Sequence, residues 1–204
     1  MKRHTPTLLA MAVAGLVALP GALQGQESTT RGFMLGAHLS GASLTLENED
    51  RNDAGGGGLI VGYGLNRNVT LLVQFDGAQF DEQSTGTVEG DWRMGHVDFG
   101  VRYSFANSLR RWVPYLQGAF GYRSVSVQDP IVDNVQRQEV EISGGGLTLG
   151  GGINIYFTQT FALDAQLLWT GGEFNTLRVD NVSATGFDVD ATSARFNLGV
   201  AWWP

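Results

Sequence analysis

The chain has 204 residues, 29 of them glycine and none cysteine, with a formal charge of −7. That length suits one domain rather than two, the missing cysteine excludes disulfide staples, and the acidic balance argues against nucleic acid as a partner. Beyond residue 25 no run of 18 apolar residues occurs, which excludes a transmembrane helix there.

In chain order, the first element is a leader. Lys2 and Arg3 open it, Leu8 to Leu19 is apolar, and the small residues Gly21, Ala22 and Gly25 precede Gln26. This is the pattern of a secretory signal peptide over 1–25, cleaved after Gly25, with one domain over 26–204. Without Lys2 and Arg3 the count is 11 basic against 20 acidic residues, a charge near −9.

Eight runs then alternate with period two, the signal of strands with one apolar face. They are predicted at 32–46, 56–65, 69–80, 91–106, 113–127, 141–157, 161–173 and 193–203. Their apolar faces carry Phe33, Leu35 and Leu39; Leu59, Val61 and Tyr63; Leu71, Val73 and Phe75; Val97, Phe99, Val101 and Tyr103. The later four carry Leu116, Phe120 and Tyr122; Leu147, Leu149 and Ile153; Leu163, Leu167 and Trp169; Phe196, Leu198, Val200 and Trp202. Short connections ("NRN", "NSLRR", "TQT") alternate strictly with long ones. In an up-and-down sheet, all short turns then lie at one end and all long loops at the other.

The second face decides what surrounds the sheet. It holds Gly58, Gly62, Gly64, Gly95, Gly100, Gly121, Gly150, Gly152 and Gly199, mixed with Gln74, His96, Gln117, Asn154, Gln166 and Asn197. It also holds Asp76, Asp98, Arg102, Arg123, Asp164 and Arg195. Glycine weakens a strand that faces solvent, but suits a narrow barrel where space is scarce. The apolar face is nearly free of charge, as lipid contact requires. The fold expected is therefore all-β: an eight-stranded antiparallel up-and-down transmembrane β-barrel with both termini in the periplasm. The opposed charges form a polar network that plugs its lumen. Aromatic residues agree with this reading. Phe33, Phe105, Trp112, Phe157, Phe161, Trp202 and Trp203 converge on the short-turn rim, as an interfacial girdle does, with Trp203 directed to the lumen mouth. Phe75, Trp92, Tyr122 and Trp169 lie nearer the long-loop rim.

On these features the chain resembles the small eight-stranded outer-membrane β-barrel proteins (outer membrane protein beta-barrel domain) of Gram-negative-type bacteria. The resemblance implies a C-terminal assembly signal, polar-x-Gly-x-x-aromatic-x-aromatic. Asn197, Gly199 and Trp202 fit that frame, and Pro204 takes the last aromatic slot. The resemblance further implies outer-membrane lipids and lipopolysaccharide as surroundings, and the barrel-assembly machinery as a partner during biogenesis. It names no cofactor, no metal and no particular extracellular ligand.

Two further features are candidate sites. His38-Leu39-Ser40 is similar to a His and Ser pair in outer-membrane lipid A deacylases, but here Leu39 takes the lipid face, so both polar residues point to the lumen as filling. The long connection with Glu47, Glu49, Asp50 and Asp53 lacks the spacing of a calcium loop and reads as solvated. The expected function is that of a non-enzymatic integral outer-membrane protein, structural or adhesive through its long loops. The alternatives are a narrow porin or small-solute channel and a lipid A-modifying hydrolase.

Overall fold

The computed structural model describes residues 30–46, 52–80, 89–105, 111–132, 135–136, 139–179 and 182–204. Its strands are β1 (Gly32–Leu46), β2 (Asn52–Gly64), β3 (Val69–Phe80), β4 (Glu89–Ser104), β5 (Trp112–Val132), β6 (Val135–Gln136), β7 (Glu139–Tyr156), β8 (Phe161–Val179) and β9 (Val182–Trp202). Every pairing is antiparallel, and the β1–β9 and β4–β5 ladders close the sheet into a ring. The two-residue β6 folds back on the end of β5, so eight strands form the wall.

The size of the ring follows from its register. Starting at Leu35, the paired residues run through Val61, Val73, Phe99, Phe120, Leu147, Gly171 and Thr192, and return to β1 at Thr45, ten residues higher. With about 3.3 Å per residue and about 4.8 Å between strands, that stagger tilts the strands by about 40°. The resulting radius, about 8 Å, leaves an interior that side chains can fill.

The outer face is a continuous apolar belt, with Phe120 75% and Leu167 61% exposed and Leu35, Leu59, Val101, Leu149 and Leu198 beside them. No soluble protein leaves such a surface in water, and a band of this kind is what lipid covers. Phe33, Phe105, Trp112, Phe157, Phe161 and Trp202 are exposed at the short-turn rim. Trp203, which the alternation directs to the lumen mouth, differs from these six. It is 1% exposed and points inward, because it follows Trp202 on an alternating strand. Gly95 departs from the reading, standing on the outer face opposite Gly77, since Met94 and His96 on either side point in.

The short turns hold themselves. Asn66 Oδ1 accepts the N–H of Asn68 and of Val69 at 2.8 and 2.9 Å. Thr158 Oγ1 does the same for Thr160 and Phe161 at 3.3 and 3.0 Å. These are Asx- and Ser/Thr-type turns, which need no other support. At the opposite rim the described residues of the predicted long loops are strand. β2 begins at Asn52 rather than 56, β8 runs to Val179 rather than 173, and β9 starts at Val182 rather than 193. Backbone pairing needs no apolar side chains once two strands are in register, so the ladder continues into polar sequence. A tilted strand rises about 2.5 Å per residue along the axis, so an apolar band about 25 Å tall takes roughly ten residues. The 19 residues of β8 therefore carry the wall roughly 20 Å beyond that band.

Candidate functional site in the barrel lumen

The lumen is filled in layers. At the short-turn end Met34, Ile60, Leu72, Val113, Tyr156, Ala162, Ala201 and Trp203 form an apolar stopper. Within it the Trp203 and Tyr156 rings lie 5.5 Å apart, and the backbone N–H of Trp203 donates to Thr160 O at 2.7 Å. At the other end a second apolar layer gathers Ala42, Ala78, Met94, Val125, Phe174 and Ala191. The polar network expected from the sequence lies between them, so the plug is part polar and part apolar.

The lower polar layer is built on Arg102. Its Nη1 donates to Asp164 Oδ2 at 3.2 Å, and its Nε and Nη2 donate to Gln117 Oε1 at 3.1 and 3.0 Å. Tyr115 O–H donates to the other Asp164 oxygen, and its ring lies 3.9 Å below the guanidinium carbon. Gln117 Nε2 donates to Gln74 Oε1 at 3.1 Å, and Gln166 Nε2 donates to Gln117 Oε1 at 3.0 Å. Asn197 Nδ2 donates to Gln166 Oε1 at 2.8 Å. Four strands are thus tied across the ring by three glutamines and one asparagine.

The upper polar layer is built on Arg195. One side of its guanidinium donates to Asp76 and the other to Asp98 Oδ2, the latter at 2.6 Å. Thr148 Oγ1 donates to Asp98 Oδ1 at 3.0 Å, Arg195 Nη2 also reaches Thr170 Oγ1 at 3.1 Å, and Gln74 Nε2 joins this layer to the lower one through Asp76 Oδ2 at 3.0 Å. Charge-assisted contacts of this kind are strong only when both partners are held, as they are by these hydroxyls and amides.

Glycine makes the room. A Cβ on Gly121 would lie 1.9 Å from Asp98 Oδ1, and one on Gly58 would lie 2.6 Å from His38 Nε2 and 2.7 Å from Asp76 Oδ1. Gly199 faces the same crowding, with His38 Cα and Cβ both 2.5 Å from a Cβ there.

All six predicted lumen charges point inward and are buried. The structure brings Arg102 to Asp164 and Arg195 to Asp76 and Asp98. It leaves Arg123 apart, donating to the backbone oxygen of Ala191 at 3.1 Å and facing the Phe174 ring at 5.0 Å. His38 and Ser40 face the lumen as expected. His38 Nε2 meets Asp76, whereas Ser40 O–H donates to Asn197 Oδ1 at 2.7 Å, so the hydroxyl is committed elsewhere and buried away from the lipid-facing wall. Asn197 and Gly199 of the C-terminal frame lie inside the lumen, and Trp202 lies outside it. Tyr115, Thr148 and Thr170 were missed by the sequence reading. Each is in phase with inward residues already identified, Gln117, Gly150 and Gln166, and alternation alone finds them. Glu47, Glu49, Asp50 and the 1–25 leader lie outside the described residues. Asp53 stands exposed near the start of β2.

The sequence matches the family model of the outer membrane protein beta-barrel domain over residues 8–202. No curated protein sequence matches it. Among solved structures, the chain is similar to Neisserial surface protein A (NspA), at TM-score 0.64 and 17% identity over 84% of this chain and 96% of that one. It is similar to Ail, the attachment invasion locus protein of Yersinia pestis, at TM-score 0.57 and 13% identity over 85% and 99%. It is also similar to OprG from Pseudomonas aeruginosa, at TM-score 0.55 and 10% identity over 89% and 98%. At these identities the likeness is one of fold.

Proposed function

We propose, for a chain that belongs to the outer membrane protein beta-barrel domain family, a non-enzymatic role as a surface scaffold whose lumen is closed and whose binding surface is carried on its projecting hairpins. The family places the chain in the bacterial outer membrane. The leader over 1–25 is the export signal in this reading. Outer-membrane lipid and lipopolysaccharide cover the apolar belt, and the barrel-assembly machinery acts on the C-terminal strand.

The observation that carries the proposal is the Arg195 bridge. It joins β9 to β3 and β4 through Asp76 and Asp98, in a lumen capped above and below by apolar layers. A lumen of about 8 Å radius crossed by such a bridge leaves no ion path. What remains free is the outward end, where β5, β7, β8 and β9 rise past the lipid band; long segments on a rigid scaffold are where binding usually sits. The similarity in fold to an attachment protein, Ail, supports the same reading. A role as lipid hydrolase is disfavoured by the hydrogen bond that commits Ser40 to Asn197.

Planar-bilayer recording on the purified barrel tests the closed lumen against the small-solute channel. The expected trace has no stable open level. Ion-selective steps that persist at low voltage would replace the scaffold reading with a channel.

A further inference from the structure

We propose that the outer face at the foot of β1 holds one anionic phospholipid, with its phosphate on Arg31 and one acyl chain in a groove of the wall above. The groove has a volume of about 500 Å³ and lies in the apolar belt beside the short-turn rim. Gly36 and Ala37 form its floor, and Leu59, Val200, Phe161 and Trp202 its sides. Ala37 pairs with Leu59 on one flank and Val200 on the other, and along β1 it stands between Leu35 and Leu39, which are 43% and 75% exposed. One small outward residue among larger neighbours leaves a notch. A methylene chain laid in that notch gains contacts that a level wall does not offer. The site needs the apolar belt to lie in a membrane, and it is independent of whether the lumen is closed.

The rim below the groove carries side-chain charge of one sign. Arg31 is exposed at the foot of β1, two residues before Phe33. The buried Thr30 donates its hydroxyl to the backbone oxygen of Arg67, which draws the β2–β3 turn against the start of β1 and brings a second exposed arginine to this side of the rim. Arg111 stands farther round, just before β5. No Asp or Glu side chain stands among the described residues of this rim. The outward rim is mixed, since Arg93 and Arg178 share it with Asp53, Glu141, Glu173 and Asp190.

Height and charge together select the ligand. Ala37 lies six residues beyond Arg31, about 15 Å along the axis of a tilted strand, which is half of a hydrocarbon core about 30 Å thick. A lipid of the leaflet at this rim therefore brings its phosphate to Arg31 when one of its chains lies in the groove. Guanidinium and phosphate oxygen form a charge-assisted pair. The exposed Trp202 at the side of the groove adds an indole, whose apolar ring and N–H donor suit this depth. A zwitterionic headgroup carries its own ammonium, which two guanidiniums without a carboxylate nearby repel. Phosphatidylglycerol carries none, so the rim prefers it.

The test uses the full barrel purified folded from outer membranes into a non-ionic detergent. Native mass spectrometry follows the adducts formed with phosphatidylglycerol, with phosphatidylcholine and with free glycerol 3-phosphate. The parent should retain one phosphatidylglycerol at lipid levels where phosphatidylcholine is lost, and glycerol 3-phosphate should not displace it. Arg31→Gln should abolish the preference, so that the two lipids are retained equally. Ala37→Phe, which fills the notch, should lose the adduct, whereas Arg93→Gln at the opposite rim should keep it. All three positions are exposed, and heat-modifiable migration reports whether each variant is folded. If Ala37→Phe does not assemble, the parent and Arg31→Gln decide. Equal retention of both lipids by the parent, or an adduct that survives both Arg31→Gln and Ala37→Phe, would reduce the site to a general lipid coat and overturn it. Displacement by glycerol 3-phosphate would overturn the role of the acyl chain. Spin labels at 149 and 167 that still report lipid separate a failure of this site from a failure of the membrane reading.

Discussion

Replacing Arg195 by Met keeps the volume and removes the charge that Asp76 and Asp98 share. Both carboxylates would then remain buried, Asp76 with His38 and Gln74, Asp98 with Thr148. Breaking a buried pair by removing one partner costs about 3–5 kcal/mol, because the abandoned charge cannot reach water. With a urea dependence of about 2 kcal/mol per molar, the unfolding midpoint should fall by roughly 1.5–2.5 M. The assay is urea unfolding of the barrel in lipid vesicles, read by tryptophan fluorescence and by heat-modifiable migration. Adding Asp98→Asn to Arg195→Met should recover part of the loss, since one buried charge is then gone, whereas Asp98→Asn alone should be destabilising. A midpoint for Arg195→Met within about 0.5 M of the parent, which is about 1 kcal/mol at that slope, would refute the buried bridge and the closed lumen built on it.

The two terminal tryptophans should separate. Trp203→Ala removes a ring packed on Tyr156 and should cost about 3–5 kcal/mol in the same unfolding assay, while Trp202→Ala should leave that midpoint nearly unchanged and lower the folded fraction recovered in outer membranes, as judged by heat-modifiable migration. Gly121→Ala drives a methyl into Asp98 and should cost about 1–3 kcal/mol. Gly118→Ala, on the outer face with Leu149 Cδ2 at 3.5 Å from the added carbon, should be neutral, so equal unfolding midpoints for the two would contradict the inward crowding. Leu167→Arg should cost about 2–4 kcal/mol in vesicles. Spin labels at 149 and 167 should report lipid and those at 102 and 164 should not, and the reverse pattern would invert the barrel.

The sequence carries the wall far better than the contents. Alternation fixes which way Leu149, Arg102 or Asp164 points, because a strand has only two faces and one of them must be apolar. It does not say which inward residues meet. Arg123 and Arg195 look equivalent as letters on β5 and β9, yet Arg195 bridges two carboxylates while Arg123 donates to a backbone oxygen, because the stagger of the ring sets their heights. Stagger is a sum over eight registers, and no local pattern encodes it. The extensions of β8 and β9 were unreadable for a different reason. Stretches such as "VSATGFDVD" have turn-like composition, and pairing with the neighbouring strand overrides that preference. Trp203 was legible as inward-facing from its place after Trp202, but its stacking on Tyr156 is a matter of height and stagger again.

The β1–β9 seam has a consequence for how this protein comes to exist. Leu35 pairs with Trp202 and Ala37 with Val200, so the ladder that closes the ring joins the two ends of the domain. Until the final strand arrives, both edges of the growing sheet stay open, with unpaired backbone along β1 and an apolar face beside it. Non-local pairing of this kind is slow, and open edges invite pairing with the wrong chain. Two pairs along the seam are kept small on one or both sides, Gly36 with Ala201 and His38 with Gly199. A truncation that removes only β9 would therefore leave a sheet with two sticky edges and no route to a monomer. Its fate would be aggregation or capture by a chaperone rather than a smaller barrel.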